Sequence, residues 1–244
     1  MMTNGYENEV QFIECLDNKK YEELNPLMQD LIKCLYPTIK SKDIIYATKY
    51  GRYAKTDIVV SVRNKKRGIS LKSGYKNSIH IEPIDVFKKF LLKNNISKEV
   101  IESLYYCIYS DGTTNNTGAK RVSNAEYIDK HPREIQKLNE VLNLLRQKLI
   151  KRFLIETDTK YKVQPAIFVH GNINDFIWAT SEEVTDFLEN EVISSKSLHS
   201  SKLYIQCWNK NLKKNPKYEY CRNYIQIKWF SMYDDIIAIM SRRQ

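Results

Sequence analysis

Residues Gly51 to Gly74, GRYAKTDIVVSVRNKKRGISLKSG, are the stretch that decides the fold. Apolar and polar residues alternate on both sides of a basic turn, which is the pattern of a β-hairpin with one buried face. If Asn64-Lys65 is a two-residue turn, Asp57 lies opposite Lys72 and Val59 lies opposite Ser70. A longer turn would keep Ser70 and Lys72 together but could shift Asp57.

Alternation divides the hairpin into two faces. Asp57, Ser70 and Lys72 share the polar face. The other face is apolar and is predicted to be buried; it carries Ile58, Val60, Ile69 and Leu71. The simplest interpretation of the acid and the lysine is a cross-strand ion pair, which contributes less than about 1 kcal/mol when exposed.

The remaining patterns predict helices interleaved with strands. Helices are expected over residues 4–16 and 25–36, after Glu82-Pro83, after the caps at Ser97, Ser123 and Thr180-Ser181, and over 132–155, where Arg146, Lys148, Lys151 and Arg152 are expected to face largely outward. Strands are expected over 44–48, 163–170, 175–178, 203–208 and 222–230, with a polar turn over 209–217. Residues 110–124 lack periodicity and are predicted to form a mobile loop. No repeat or linker divides the chain, so we expect one α/β domain with a small mixed sheet.

Charge and composition restrict the partners and the compartment. The net charge of +10 and a pI near 9.2 suit a polyanion such as nucleic acid, although a lysine-rich composition alone can produce the same charge. The five cysteines form no C-x-x-C pair, so reduced thiols are expected rather than a zinc site. No apolar run has the length of a signal sequence or a membrane span, and we therefore expect a soluble cytoplasmic protein without membrane contact.

The spacing Asp57-x12-Ser70-x-Lys72 on consecutive strands, after an N-terminal helix, resembles the PD-(D/E)xK nuclease superfamily, which includes many restriction enzymes. The chain departs from that pattern at two places. Thr56 stands where the family often has proline, and Ser70 stands where an acid usually binds metal. Some restriction enzymes of this kind recruit an acid from the following helix, and Glu82 is the candidate here. An ordinary acid at a helix N-terminus is the alternative for Glu82.

The first helix, GYENEVQF from Gly5, resembles the family's leading helix, whose glutamate points into the site. Glu9 is the candidate for that glutamate, and Glu7 and Glu14 are its rivals. The resemblance implies that Asp57 and Glu82, with Glu9 as a further candidate, hold one or two Mg²⁺ ions, for which Mn²⁺ can substitute. It also implies that Lys72 stabilises the charge on the phosphorus or orients the attacking water.

Two basic segments are candidates for nucleic-acid contact. The hairpin turn carries Arg63, Lys65, Lys66 and Arg67, which are suited to phosphate contact or to a solvated loop tip. One face of the strand over 222–230 carries Arg222, Tyr224, Gln226 and Lys228, which Tyr204, Gln206 and Trp208 could extend. Gly112 to Lys120 lacks the spacing of a phosphate loop, and His170 and His199 are expected to be core or surface histidines.

These observations predict an α/β fold with a restriction-endonuclease-like core, a central mixed sheet flanked by helices, and additional helical and hairpin elements. We expect one domain over 1–244, with a catalytic core over 1–110 and a DNA-contacting remainder over 111–244. The predicted function is that of a Mg²⁺-dependent endonuclease for double-stranded DNA, specifically a type II restriction enzyme. Alternatives are a repair or junction nuclease, a DNA-binding protein without catalysis, and an RNA-binding protein or RNase. Two-fold action on DNA would favour a homodimer.

Overall fold

The computed structural model describes residues 5–51, 54–74, 77–118, 121–156, 162–208 and 221–243. The helices are α1 (Gly5–Leu16), α2 (Pro26–Leu35), α3 (Ile84–Lys93), α4 (Lys98–Tyr109), α5 (Asn124–Lys130), α6 (Pro132–Leu144), α7 (Arg146–Ile150), α8 (Ser181–Asn190) and α9 (Met232–Ser241). The strands are β1 (Lys19–Lys20), β2 (Ile44–Lys49), β3 (Ile58–Val62), β4 (Lys65–Lys72), β5 (Asn77–Pro83), β6 (Pro165–Asn172), β7 (Asp175–Thr180), β8 (His199–Ser200), β9 (Leu203–Cys207) and β10 (Tyr224–Trp229). The predicted polar turn over 209–217 lies outside the described residues.

The chain divides into two compact units. Unit 1 contains residues 1–77, 154–188 and 231–244, and unit 2 contains residues 78–153 and 189–230. Both units are therefore made from segments that are distant in sequence. The assignment of one domain with a boundary near residue 110 stays a prediction.

Unit 1 contains a mixed sheet of six strands in the order β1-β2-β3-β4-β6-β7. Every neighbouring pair is antiparallel except β4 and β6, which run parallel. Helix α1 packs on β2 and α9 packs on β7. The α/β class and the central mixed sheet flanked by helices are confirmed.

One face of this sheet is buried under α1 and α2. The core combines the apolar residues of the hairpin with those of both helices, including Phe12, Met28 and Ile32. Ile58, Val60 and Ile69 have no solvent exposure, and Leu71 is 6% exposed. The predicted apolar face of the hairpin is thus confirmed, and its burial orients the other face toward the candidate site.

The register of the hairpin differs from the prediction. The turn residues are Arg63 and Asn64, both with positive φ (46° and 65°), and Val62 pairs with Lys65. Positive φ at both central positions is the mark of a type I′ turn, whose twist matches that of the flanking strands. The pairing is therefore displaced from the predicted one by two residues along β4. Each side chain stays on its predicted face of the hairpin but lies opposite a different residue.

Thr56 and Gly68 join the start of the hairpin to the region just before β6. The Thr56 hydroxyl donates to the Val163 carbonyl at 2.9 Å. A Cβ on Gly68 would lie 2.4 Å from the Gln164 carbonyl oxygen and 2.5 Å from Thr56 Oγ1, so the contact requires glycine. Thr56 therefore has a structural role here.

Unit 2 contains a second sheet that the sequence did not predict, in the order β5-β10-β9-β8. The predicted single helix over 132–155 was wrong. It breaks at Leu145, which has φ −95° and ψ 8°, and ends in a π-helical turn over Lys151–Ile155. Phe153 and Leu154 of this turn are buried, as are Leu149 and Ile150 before it.

Hydrogen bonds to Asp111 hold the segment over 110–118, and the mobility of the loop over 110–124 stays a prediction. The Asp111 carboxylate accepts hydrogen bonds from Thr113 N (2.9 Å), Thr113 Oγ1 (2.8 Å) and Gly118 N (3.1 Å). Arg222 also forms an ion pair of 3.1 Å with Asp111, whose side chain has no solvent exposure. The buried carboxylate thus fixes the shape of the loop.

Among the described residues, no helix is long and apolar enough to cross a membrane. All five cysteines are free thiols, and Cys107, Cys207 and Cys221 are buried. Burial raises the pKa of the Cys107 thiol to about 12, which makes it a poor nucleophile.

Candidate active site

The polar face of the hairpin brings three predicted site residues together in unit 1. Asp57 directly precedes β3, and Ser70 and Lys72 lie on β4. Asp57 Oδ2 accepts hydrogen bonds from Leu71 N at 2.7 Å, Lys72 Nζ at 2.9 Å and Ser70 Oγ at 3.3 Å. The carboxylate is therefore held by three donors from the neighbouring strand.

The two oxygens of Asp57 have different environments. All three donors bind Oδ2, and no described residue binds Oδ1. The side chains of Asp57 and Lys72 are 20% and 21% exposed, so both are accessible to a ligand of modest size. This arrangement presents one oriented carboxylate oxygen beside one ammonium group.

The predicted facing of Asp57 and Lys72 was wrong. Continuing the observed register from Ile58 opposite Ile69 places Asp57 opposite Ser70, with Lys72 one position further along the same face. Because the lysine side chain is long, it reaches Asp57 along the diagonal of the ladder. The ion pair forms although the register differs.

Oxygen atoms that could hold a divalent cation converge on the Lys72 ammonium. Nζ contacts both Asp57 Oδ2 (2.9 Å) and the Leu71 carbonyl oxygen (3.1 Å). In the part of the chain that the structure describes, no group of three or more His, Cys, Asp or Glu side chains is placed to hold a metal. Mg²⁺ binds through one or two carboxylates and completes its six ligands with water and substrate phosphate. One carboxylate and one carbonyl fit that ion, whereas they would not form a closed cage of protein ligands.

Glu9 is bound by a different cation of unit 1. Its carboxylate pairs with Lys49 Nζ at 2.7 Å, and the same ammonium lies 4.1 Å from the centre of the Tyr6 ring. Within the described ranges, no hydrogen bond or ion pair joins Glu9 to Asp57. The rivals Glu7 and Glu14 are exposed. A metal-binding role for Glu9 stays a prediction.

Glu82 belongs to unit 2 and lies near the end of β5, just before the predicted helix, which begins at Ile84. Its carboxylate is bidentately paired with Arg152, with Nε to Oε1 at 3.1 Å, and lies 3.3 Å from His80 Nε2. Burial raises the pKa of Glu82, but hydrogen bonds from His80 and Arg152 outweigh it and lower the pKa below 4.5. Arg152, predicted to face largely outward, is therefore partly buried against an acid.

The hairpin cations differ in their contacts. Arg63 makes a bidentate pair with Asp43, with Nε to Oδ1 at 2.9 Å, so this guanidinium is already bound within the protein. The other three candidates are exposed on β4: Lys65, Lys66 and Arg67. These three have the exposure that phosphate contact requires.

The predicted alternation of β10 is confirmed, because Ile225, Ile227 and Trp229 are fully buried. The opposite face is largely engaged within unit 2. Gln226 is 6% exposed and donates to Ser78 Oγ at 2.9 Å. To recognise a DNA base, Gln226 would have to give up its hydrogen bond to Ser78 and form one with the base instead.

The other members of that face have partners too. Arg222 pairs with the buried Asp111, and the Tyr224 ring meets Trp208 edge-on at 5.8 Å between centroids. Lys228 is partly exposed. Nucleic-acid contact by Arg222, Tyr224, Gln226 and Lys228 stays a prediction.

His170 is a neighbour of the site that the sequence did not indicate. It pairs with Lys72 in the parallel β4–β6 ladder, and its Nε2 lies 3.0 Å from the Gly74 carbonyl oxygen. Residues 72 and 170 are far apart in sequence, so no local motif could have joined them. The predicted assignment as a core histidine agrees with its burial, and the hydrogen bond supports the chain just after Lys72.

Comparison with known proteins identifies the fold. No family model and no curated protein match this chain. A solved structure of the restriction endonuclease MspI in complex with its cognate DNA matches with a TM-score of 0.59 at 14% sequence identity. The match covers 92% of this chain and 88% of MspI. The fold is restriction-endonuclease-like, as the sequence resemblance implied.

Proposed function

We propose that this protein is a Mg²⁺-dependent endonuclease that hydrolyses phosphodiester bonds in double-stranded DNA, with a Ser-x-Lys variant of the PD-(D/E)xK site. The observation that supports this most strongly is the contact between Asp57 and Lys72 on the polar face of a hairpin, in a restriction-endonuclease-like fold. The similar protein MspI is a restriction enzyme bound to its cognate DNA. We therefore assign the chain to the restriction type.

Each site residue has a task in this proposal. The Asp57 carboxylate and the Leu71 carbonyl would hold Mg²⁺, which would supply an activated water and neutralise charge on the phosphate when bound. Lys72 stabilises the negative charge that develops on the phosphoryl oxygens, since its ammonium is already fixed beside the carboxylate. Ser70 orients Asp57 through its hydroxyl rather than serving as a ligand. Glu82 and Glu9 as further ligands, and Mn²⁺ as a substitute, stay predictions.

DNA contact is proposed for the exposed cations of the hairpin. Lys65, Lys66 and Arg67 would bind phosphates, a contact that depends on salt but not on base sequence. The net charge of +10 favours the same partner. Action at a two-fold symmetric site would call for a homodimer.

A DNA-binding protein without catalysis is the second candidate. It is favoured by Ser70, because a hydroxyl occupies the position of the second acid and leaves one carboxylate on this face. A repair or junction nuclease shares the chemistry of the first proposal but would not cut intact duplexes at fixed places.

The test is incubation of a long duplex DNA with the purified protein in Mg²⁺, in Mn²⁺ or in EDTA. Asp57→Ala is the informative variant, and Asp30→Ala, which removes an exposed acid of α2, is its matched control. The proposal is supported if discrete fragments form only with the metal, also form with the control variant, and do not form with Asp57→Ala. Uncut DNA with a retarded band favours the non-catalytic protein. Cleavage of branched DNA alone favours a junction nuclease. If the protein neither cleaves nor binds the duplex, duplex DNA is refuted as the substrate.

A further inference from the structure

Unit 2 contains a cleft that is separate from every predicted site residue. Its volume is about 670 Å³, within the range of small-ligand sites. The walls come from α3, α4, residues 114 and 115, and Asn223. A mononucleotide is a ligand of suitable size for such a cavity.

The floor of the cleft is aromatic. Tyr105 and Tyr109 are 7% and 4% exposed, and their ring centroids lie 5.5 Å apart with an interplanar angle of 37°. Buried aromatic rings that line an open cleft offer a surface on which a planar heterocycle can pack.

Polar groups at the floor are left with free hydrogen-bonding capacity. Asp85 Oδ1 accepts a hydrogen bond from Tyr105 OH at 2.5 Å, which fixes the carboxylate, while no residue of the described segments binds Oδ2. The Tyr109 hydroxyl likewise has no hydrogen-bond partner among these segments. The cleft thus offers one oriented acceptor and one hydroxyl.

Two asparagines of the lining supply amide donors. Asn115 Oδ1 accepts from Thr117 Oγ1 at 2.6 Å, and Asn223 Oδ1 accepts from Asn116 Nδ2 at 3.2 Å. With both oxygens engaged, the amide NH₂ groups of Asn115 and Asn223 remain to donate. A ligand edge that carries both donors and acceptors would match these amides and the acceptor at the floor.

Cations lie at the rim. Lys88 and Lys98 line the cleft, and Lys88 Nζ is 5.7 Å from the centre of the Tyr105 ring. Glu102 also lies at the rim, so the charge there is mixed. A phosphate beside either ammonium group would be attracted, whereas a ligand of uniform negative charge would not fit the whole cleft.

We propose that this cleft binds one nucleotide unit, with the base against Tyr105 and Tyr109, a base amino or imino group donating to Asp85, and the phosphate near Lys88 and Lys98. The unit comes either from a free mononucleotide or from an unpaired nucleotide of DNA. The proposal does not depend on nuclease activity, since none of these residues belongs to the candidate active site.

The experiment is calorimetric titration in EDTA of protein carrying Asp57→Ala, so that no substrate is cut. The probes are dAMP, dCMP, dGMP and dTMP, inorganic phosphate, an intact duplex, and the same duplex with one unpaired nucleotide. Asp85→Asn replaces the acceptor with a donor at nearly constant volume. Asp129→Asn, the same change at an exposed residue of α5, is the control. Asn223→Ala provides a second test should Asp85→Asn fail to fold.

Saturable binding of at least one mononucleotide, tighter than that of phosphate, supports a free nucleotide as the ligand. DNA is supported as the source if the duplex with the unpaired nucleotide binds more tightly than the intact duplex and the mononucleotides do not bind. In either case Asp85→Asn or Asn223→Ala should weaken binding by about ten-fold or more, and Asp129→Asn should not. Absence of both signals, or binding that neither cleft variant weakens, overturns the proposal.

Discussion

Lys72 Nζ lies 2.9 Å from Asp57 Oδ2, although the two residues are not directly opposite each other in the hairpin. The contact runs along a ladder diagonal and also includes the Leu71 carbonyl. The ammonium therefore occupies a position where two protein oxygens already meet. A divalent cation bound there would have to share or displace these contacts.

Lys72 should matter for catalysis more than for stability. We expect Lys72→Met to reduce the rate of DNA cleavage by about 10² to 10³-fold, because an electrostatic stabiliser is lost. Lys72→Arg should restore only part of the rate, since its planar group differs from a compact ammonium. Single-turnover cleavage and denaturant unfolding measure the two effects. A loss of stability well above about 1 kcal/mol, with unchanged cleavage, would contradict this assignment.

Ser70 offers a test of whether a second acid on this face would strengthen metal binding. Ser70→Asp should place a second carboxylate beside Asp57 and tighten Mg²⁺ or Mn²⁺ binding, because hard cations bind through carboxylates. Ser70→Ala removes one of three donors to Asp57 and should leave metal binding nearly unchanged. Manganese titration followed by electron paramagnetic resonance compares the variants. Strong loss of metal binding in Ser70→Ala would make the hydroxyl itself a ligand.

The Glu82–Arg152 pair should stabilise the fold in a pH-dependent manner. Arg152→Met leaves a carboxylate buried without its main partner and should cost about 3 kcal/mol. Folding lowers the pKa of Glu82. The contribution of Glu82 to the free energy of unfolding is therefore complete above pH 4.5, and it is lost as the pH falls through the pKa of the folded state.

Denaturant unfolding at several pH values measures this contribution. The difference in unfolding free energy between the wild type and Glu82→Gln should shrink below pH 4.5. The double variant Glu82→Leu with Arg152→Met should lose less stability than Arg152→Met alone, because no buried charge remains unpaired. A difference that is constant with pH would argue against an ionised Glu82.

The hairpin turn should respond to the identity of residue 64. Asn64 has φ of 65°, which glycine and asparagine tolerate and β-branched residues do not. Asn64→Val should cost about 1 to 2 kcal/mol, and Asn64→Gly should be neutral or stabilising. Thermal unfolding provides the measurement, and Lys66→Val, a change at an exposed strand position next to the turn, is the control. Equal effects of the three substitutions would refute the turn type.

The sequence predicted the features that depend on local alternation. The two faces of the hairpin and the caps Ser97 and Ser123 follow from residues close in the chain and are confirmed. The register was missed because Arg63, an uncommon residue at positive φ, occupies the first turn position. Arg63 pairs with Asp43, which is distant in sequence. A turn stabilised by such a pair cannot be recognised from the turn residues alone.

Features that depend on distant pairing could not be predicted. The helix predicted after Glu82-Pro83 is confirmed, since α3 begins at Ile84, but the strand before it, β5, was not predicted because it depends on pairing with β10. His170 lies beside Lys72 only because β6 adds to the sheet in parallel. The ion pair between Asp111 and Arg222 likewise joins residues that lie 111 positions apart in the sequence.

The parallel junction of β4 and β6 also bears on how the protein folds. Residues 78–153, which belong to unit 2, separate the two strands in the chain. The hairpin with Asp57 and Lys72 can form from local contacts, whereas its neighbour β6 joins only after a long loop has closed. During synthesis the ribosome would release the acid and the lysine well before the strand that covers the edge of β4. A nascent chain should therefore pass through a stage with an open sheet edge, at which pairing between chains competes with completion of the fold.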